Sequence, residues 1–171
     1  SSAASDVYKR QVYETILGTV DASKGEFRKG NVMAGSTYFP NYDKVGRLMN
    51  DLVSTIQNKM NTNLSIEEQV NLSFDAHFNM VSIHPFYDGN GRSSRLLMNY
   101  IQKYYNLPLA IVNSESKVDY IEALIETREK EDISIFRDFM KQEYSNQLRE
   151  EIKNFEKISK PNKGLGFKFL F

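Results

Sequence analysis

Residues 84–95, with the sequence HPFYDGNGRSSR, bring together backbone features that suit the binding of a phosphate group. Gly89 and Gly91 allow the backbone to come close to a ligand and to adopt conformations that other residues resist. Successive N–H groups in such a turn form a concavity that binds anions, and a helix that begins there adds its own unpaired N–H groups. The segment therefore predicts a phosphate-binding loop at the start of a helix.

Four charged or titratable side chains of the same segment suit a transfer reaction. Arg92 and Arg95 lie one helical turn apart, so both guanidinium groups can reach the same end of a polyphosphate. Asp88 offers a hard oxygen ligand, and Mg²⁺ typically binds one or two carboxylates together with substrate phosphates. His84, whose unperturbed pKa lies near neutrality, can take a proton from an attacking hydroxyl. Together they predict nucleotide-dependent transfer, in which positioning and electrostatic stabilisation carry most of the catalysis.

Each of these residues also has an ordinary structural interpretation. A histidine near a helix end is often a hydrogen-bonded packing residue, and we favour this interpretation for His77. Asp-Gly-Asn-Gly is a common turn, and the two arginines are compatible with solvated charges on a helix. The chemical interpretation is favoured because all four parts occur within residues 84–95, in an order that one loop can use.

Pro85 and the pattern of apolar residues predict the elements that hold this loop. Proline lacks an N–H donor and disfavours helical conformation in the preceding residue, so one helix ends at about His84. Ser65 and Glu68 have the spacing of a capping box that starts this helix. Glycine-punctuated, β-prone residues predict a hairpin or flap over residues 24–40. Helical periodicity predicts further helices over residues 12–20, 45–60, 91–105, 116–129 and from 134 into the 150s. The predicted fold class is all-α with one β-flap.

The same periodicity predicts which side chains of these helices share a face. The helix after the loop is expected to bury Leu96, Leu97, Tyr100, Ile101 and Tyr104. The helix before the loop is expected to carry along one face Ile66, Val70, Phe74, His77, Phe78 and Val81. The last helix is expected to carry Phe136, Phe139, Met140, Tyr144, Leu148, Ile152 and Phe155.

Length and composition predict a single globular domain. The chain has 171 residues, 40% of them apolar, which suffices for a core. Its 22 basic and 22 acidic residues balance, so no overall charge favours nucleic acid or an anionic membrane. There is no cysteine and no apolar run of about 20 residues as a membrane helix requires. We expect a cytoplasmic protein with a non-native or disordered leader over residues 1–11, a domain over residues 12–159 and a C-terminal tail over residues 160–171.

The segment from His84 to Arg92 resembles the signature of the Fic family, His-Pro-Phe-x-Asp/Glu-Gly-Asn-Gly/Lys-Arg, at every specified position. Arg95 matches the second arginine of that family, and the flanking Leu96-Leu97-Met98-Asn99, Gly25-Glu26-Phe27-Arg28 and Asp119-Tyr120 also look familiar. The resemblance covers residues 12–147. It implies a compact helical bundle around a helix-loop-helix site, with a β-hairpin flap that aligns the target by strand addition.

The resemblance also implies roles for individual residues. His84 would be the general base, and Asn90 and Arg92 would also be catalytic. Asp88 would hold Mg²⁺, and Phe86 would anchor the loop in the core. Gly89, Asn90 and Gly91 would form an anion hole around the phosphates of the nucleotide. Arg92 and Arg95 would hold its outer phosphates, and Tyr120 would pack against its adenine. A tyrosine at position 120 is equally compatible with a place in the core.

The activity that the resemblance implies is transfer of AMP from ATP to a Tyr, Ser or Thr hydroxyl of a target protein, and of itself, with release of pyrophosphate. In the family, glycine at the position of Gly91 goes with AMP transfer, whereas the Doc-type kinases carry Ala-Asn-Lys where this chain has Gly89-Asn90-Gly91. Transfer of UMP or phosphocholine is the alternative. A catalytically silent nucleotide-binding module is another, although a pure binding module does not require His84 and Asp88.

The resemblance finally implies partners. The target would dock on the flap, at about Met33 to Tyr38, and relatives often form homodimers. Many relatives carry an inhibitory helix, Ser/Thr-x-x-x-Glu-Gly/Asn, whose glutamate pairs with the second arginine. The nearest match here starts at Ser145 and has Arg149 in place of that glutamate, so we expect an upstream inhibitory segment in the natural protein. The chain also departs from close relatives at Arg128, where they carry a small amide near the adenine.

Overall fold

The computed structural model describes residues 25–112 and 116–159, which form five α-helices and one antiparallel hairpin. The hairpin pairs β1 (Met33–Ala34) with β2 (Thr37–Tyr38). The helices are α1 (Tyr42–Met60), α2 (Ile66–Ile83), α3 (Asn90–Tyr104), α4 (Lys117–Lys130) and α5 (Ile133–Ser159). The predicted all-α class with one small β-flap is confirmed. The predictions for residues 1–11, 12–20 and 160–171 fall outside the described residues.

Local sequence signals explain where these elements begin and turn. Gly35 has a φ of 57°, which glycine adopts without strain, and it turns the chain between β1 and β2. The Asn41 side chain caps α1 by accepting a hydrogen bond from the N–H of Tyr42. The predicted capping box starts α2, because Ser65 and Glu68 each accept a hydrogen bond from the backbone of the other.

Replacing Ser65 with alanine should lower the free energy of unfolding by about 0.5–2 kcal/mol, since one N–H donor of the first turn of α2 loses its acceptor. Urea unfolding followed by circular dichroism measures this difference. Ser65→Thr is the matched control, because threonine keeps a hydroxyl at the cap and should remain close to the parent protein. Equal stability of the alanine and threonine variants would show that the capping box contributes nothing measurable.

Helix α2 is the central element, because two clusters of buried side chains pack on different faces of it. One cluster joins α2 to α1 and to the loop after α2, and includes Leu72, Ala76, Met80, Ile83, Val45, Met49 and Phe86. The other joins α2 to α3, α4 and α5, and includes Phe74, Val81, Met98, Leu124, Phe136 and Met140. Both clusters therefore fix the C-terminal end of α2, where the segment from His84 to Arg95 begins.

The predicted buried face of α3 is wrong in part. Leu96, Tyr100 and Tyr104 are 41%, 50% and 55% exposed, whereas Ser94, Met98, Ile101 and Gln102 are buried. Gln102 is compatible with the core because its side-chain amide is paired. It accepts a hydrogen bond from the N–H of Ala110 and donates one to the hydroxyl of Ser73. The prediction is right for Ile101, which is buried, and for Leu97, which is partly buried against the core, and wrong for the other three residues.

The ends of two other helices depart from their predicted faces for a different reason. Ile66 lies in the first turn of α2 and is 71% exposed, and Ile152 and Phe155 near the end of α5 are 58% and 71% exposed. These residues have the helical spacing of a buried face, but they lie at helix ends that do not pack against either described cluster of buried residues. Within the described residues, no helix has the length and apolar character needed to cross a bilayer.

Candidate active site

The first element of the site is His84, which ends α2 in a left-handed backbone conformation. Its φ is 52° and its N–H donates to the carbonyl of Met80. The imidazole stacks on the ring of Phe39, with centroids 3.9 Å apart and planes inclined by 18°. Its Nδ1 lies 3.4 Å from the carbonyl oxygen of Val81. Because a carbonyl only accepts, Nδ1 carries the proton in the neutral ring and Nε2 carries the lone pair.

The surroundings of His84 keep this ring neutral. Partial burial lowers the pKa of His84 below its ordinary value of 6.5, and the nearby positive charges of Arg28 and Arg128 act in the same direction. The hydrogen bond to the carbonyl of Val81 opposes this shift, because it favours the charged form. A histidine with a lowered pKa is ready to accept a proton at neutral pH.

The pKa values of the two histidines of the chain should both lie below the ordinary value, which NMR of the histidine rings can measure. We expect the midpoint of His84 below 6.5, while burial lowers the pKa of His77 to about 3. Since the unfolded chain then binds protons that the folded chain does not, stability should fall as the pH drops below 6.5 towards 3. A His84 midpoint above 6.5 would contradict the structure.

Asn90 holds the loop that follows His84 in a closed turn. Its Oδ1 accepts from the N–H of Phe86 at 2.9 Å, and its Nδ2 donates to the carbonyl of the same residue at 2.8 Å. Asn90 is 3% exposed, and the ring of Phe86 is buried beside Phe27. The side-chain amide of Asn90 is therefore engaged with the loop, and its backbone N–H is the group that can face an anion.

The N-terminus of α3 has the geometry expected of an anion site. Gly89 precedes the helix with a φ of 80°, and it supplies no side-chain cap. The first bond of the helix runs from the N–H of Ser93 to the carbonyl of Gly89. The preceding N–H groups have no acceptor within the helix. Gly89 adopts a left-handed conformation of the kind that glycine permits, whereas Gly91 lies inside the first turn of α3.

The two arginines of α3 make different contacts near this helix end. A methyl group placed on Gly91 would lie 3.5 Å from Nη1 of Arg95, so this guanidinium reaches back over the first turn of α3. Among the described residues, no carboxylate forms an ion pair with Arg95. Arg92 instead pairs with Asp88 across 3.0 Å. Such an exposed pair is worth about 0–1 kcal/mol, so a bound polyphosphate can replace it at little cost.

Asp88 is the metal ligand that the sequence predicts, and its environment suits that role. The carboxylate is 87% exposed, and its Oδ1 accepts from the N–H of Gly89. The described residues hold no cluster of three or more metal-ligating side chains. One accessible carboxylate beside a phosphate site is the donor set that fits Mg²⁺, since this ion takes much of its coordination from phosphates and water.

Tyr120, predicted to contact adenine or to lie in the core, is buried in the core. Its hydroxyl lies 2.8 Å from Nε2 of His77, and its ring packs on Phe136 and Phe139. Burial raises the pKa of Tyr120 to about 12, so the hydroxyl keeps its proton. The structural interpretation of His77 is confirmed, since this ring is fully buried.

Two contacts of the site were not predicted from the sequence. Arg28 donates to the carbonyl of His84, and Phe39 stacks on its ring, although both residues belong to the flap region. Arg128, noted as a departure, donates to Ser82 and places its guanidinium 5.7 Å from the centre of the Phe39 ring. The flap predicted over residues 24–40 gave a place for Arg28 and Phe39 but no signal of their contacts.

This helix-loop-helix places a neutral imidazole, an uncapped helix N-terminus and two guanidinium groups close together, which is the set of groups that binding and attack of a phosphate would require. The model of the Fic/DOC family matches residues 5–102, and the chain belongs to this family.

Curated relatives and solved structures agree with this assignment. The chain is 34% identical over 115 residues to protein adenylyltransferase Fic of Aedes aegypti and 33% identical over 111 residues to that of Drosophila willistoni. These matches cover 67% and 64% of this chain but only 22% of each relative. A Fic family protein from Desulfovibrio desulfuricans G20 superposes with a TM-score of 0.73 at 26% identity, over 85% of this chain and 46% of its own. Fic-1 from C. elegans has the same fold, with a TM-score of 0.71 at 23% identity, over 88% and 44%.

Proposed function

We propose that this chain transfers AMP from ATP to a hydroxyl side chain of a protein. The observation that carries the proposal is the placement of an unprotonated imidazole nitrogen, Nε2 of His84, on the same short loop as the open N-terminus of α3. The names of the curated relatives support the proposal, although the chain spans about a fifth of their length.

Each residue of the site has a role in this reaction. The target hydroxyl gives its proton to Nε2 of His84 while its oxygen bonds to the α-phosphorus, and the bond from that phosphorus to the pyrophosphate oxygen breaks. The N–H groups at the start of α3 stabilise the charge on the α-phosphate oxygens. Arg92 and Arg95 hold the outer phosphates and the departing pyrophosphate. Asn90 keeps the loop in the shape that this geometry requires.

Mg²⁺ is part of the proposal, with Asp88 as its protein ligand. The ion would supply positive charge to the phosphates of ATP and so lower the energy of the departing group. Arg92, released from Asp88, would be free to contact the outer phosphates.

The flap supplies the docking edge for the target in this proposal. Met33 and Tyr38 are paired across the two-stranded sheet and both are exposed, and among the described residues no third strand pairs with this sheet, which suits strand addition by an extended segment. An upstream inhibitory segment, homodimer formation and a cytoplasmic location, where ATP is available, belong to the same proposal. Transfer of AMP to a hydroxyl of the chain itself is part of the same proposal.

Labelled nucleotides test the proposed transfer. Incubation with a host lysate and Mg²⁺ should leave label on protein from α-labelled ATP but not from γ-labelled ATP. Omission of Mg²⁺, or the change Asp88→Ala, should abolish the labelling. Label retained from the γ-phosphate would indicate a kinase, and labelling from UTP or from a phosphocholine donor alone would reassign the donor.

A further inference from the structure

Arg28 is almost completely buried, with 2% of its surface exposed, and it lies directly behind the catalytic loop. Its backbone N–H donates to the carbonyl of Pro85 at 2.9 Å, and its Nε donates to the carbonyl of His84 at 2.8 Å. One side of this residue therefore binds both members of the His-Pro pair.

The rest of the guanidinium group binds the flap. Nη1 donates to the carbonyl of Gly30 at 2.8 Å, and Nη2 donates to the carbonyl of Pro40. Gly30 lies before β1 and Pro40 follows β2, so the same group holds both ends of the hairpin. A planar guanidinium with five donors can serve acceptors in several directions, which an ammonium group cannot do in the same geometry.

The carbonyl of His84 needs such a donor for a structural reason. His84 is a non-glycine residue in the left-handed region, a conformation that persists only where surrounding contacts impose it. Its carbonyl follows the last turn of α2 and has no partner within that helix. A buried charge is costly unless its donors are paired, so the carbonyls and the guanidinium stabilise each other.

We propose that Arg28 is a positioning residue for His84, which fixes the direction of the imidazole relative to the flap. The inference rests on the proposed role of His84 as the base. A target strand aligned on the hairpin then presents its hydroxyl to Nε2, because one guanidinium sets the position of both. Two further contacts join the same parts: Phe39 stacks on the imidazole, and the hydroxyl of Tyr87 accepts a hydrogen bond from the N–H of Lys29.

Arg28→Gln and Arg28→Lys test this role by single-turnover transfer. We expect the rate at saturating ATP to fall roughly 10- to 100-fold in Arg28→Gln, as for a misplaced catalytic group. The Kd of ATP should stay within about twofold, because Arg28 contacts none of the groups that bind phosphate. Arg28→Lys should recover only part of the rate, since it keeps the charge but not the planar set of donors.

Arg137→Gln is the matched control, because Arg137 is a partly buried arginine that pairs with Asp75 away from the loop. It should lower the melting temperature without changing the single-turnover rate of the folded protein. If Arg28→Gln behaves in the same way, with a lower melting temperature and an unchanged rate, Arg28 is merely structural and the proposal is overturned.

A readout without turnover separates this inference from the proposed function. The ring signals of His84 in NMR should shift in Arg28→Gln and stay unchanged in Arg137→Gln. If Arg28→Gln does not fold, Arg28→Lys is used for the same measurements. Should the parent protein transfer nothing, the proposed function fails, while a displaced His84 signal would still support positioning and an undisturbed signal would still overturn it.

Discussion

Replacing His84 with asparagine should lower the rate of AMP transfer by a factor of about 10²–10⁴, the usual contribution of a general base. Asparagine tolerates the left-handed conformation that His84 adopts, so the backbone of the loop should survive the change. It cannot take up a proton at neutral pH, and the hydroxyl of the target would keep its own. The expected result is therefore a slow enzyme with an intact nucleotide site.

Two measurements separate the loss of the base from the loss of the fold. The Kd of ATP should change little in His84→Asn, because in the proposed function the phosphates are held by the start of α3 and its arginines. The residual rate should also lose the pH dependence that the parent shows below the ordinary pKa of histidine. A variant that keeps most of the parent rate would show that another group accepts the proton.

Replacing Asn90 with alanine should have the largest effect on stability. The change removes the two hydrogen bonds that the buried side chain of Asn90 makes with the N–H and the carbonyl of Phe86, at about 0.5–1.5 kcal/mol for each bond. The loop that joins α2 to α3 would then open, and transfer should fall as well. Urea unfolding and the labelling assay measure the two effects on the same preparation.

Asn79→Ala is the matched control for this change. Asn79 is exposed on α2, and its side chain donates one hydrogen bond to the carbonyl of Asp75. Loss of this single exposed bond should cost less than about 1 kcal/mol and leave transfer unchanged. If Asn90→Ala proves no less stable than Asn79→Ala, the paired bonds to Phe86 do not hold the loop.

The features that the sequence predicts well are those whose physical cause lies within a few residues. Ser65 and Glu68 cap α2, Pro85 ends it, and Gly89 turns the chain into α3, each through neighbouring backbone groups. The apolar stripe of α1 is equally local, since Val45, Met49, Leu52 and Ile56 follow helical spacing in the sequence and are buried. These signals place the loop between two helices before any tertiary contact is known.

The contacts that sequence reasoning could not supply join residues far apart in the chain. Arg28 reaches a carbonyl 56 positions away, and no periodicity reports such a pairing. The prediction of the buried face of α3 was wrong in part for a related reason. Gln102 is buried because its amide forms hydrogen bonds with Ser73 and Ala110, which lie elsewhere in the chain. A prediction from the hydrophobic pattern alone places a polar residue such as Gln102 on the surface.

The junction of α2 and α3 has a further consequence for the electrostatics of the reaction. The macrodipole of a helix places partial negative charge at its C-terminus and partial positive charge at its N-terminus. In the proposed reaction, the imidazole that would become a cation lies where α2 ends, and the phosphates that would gain negative charge lie where α3 begins. Both helix dipoles would then stabilise the charges that separate during transfer.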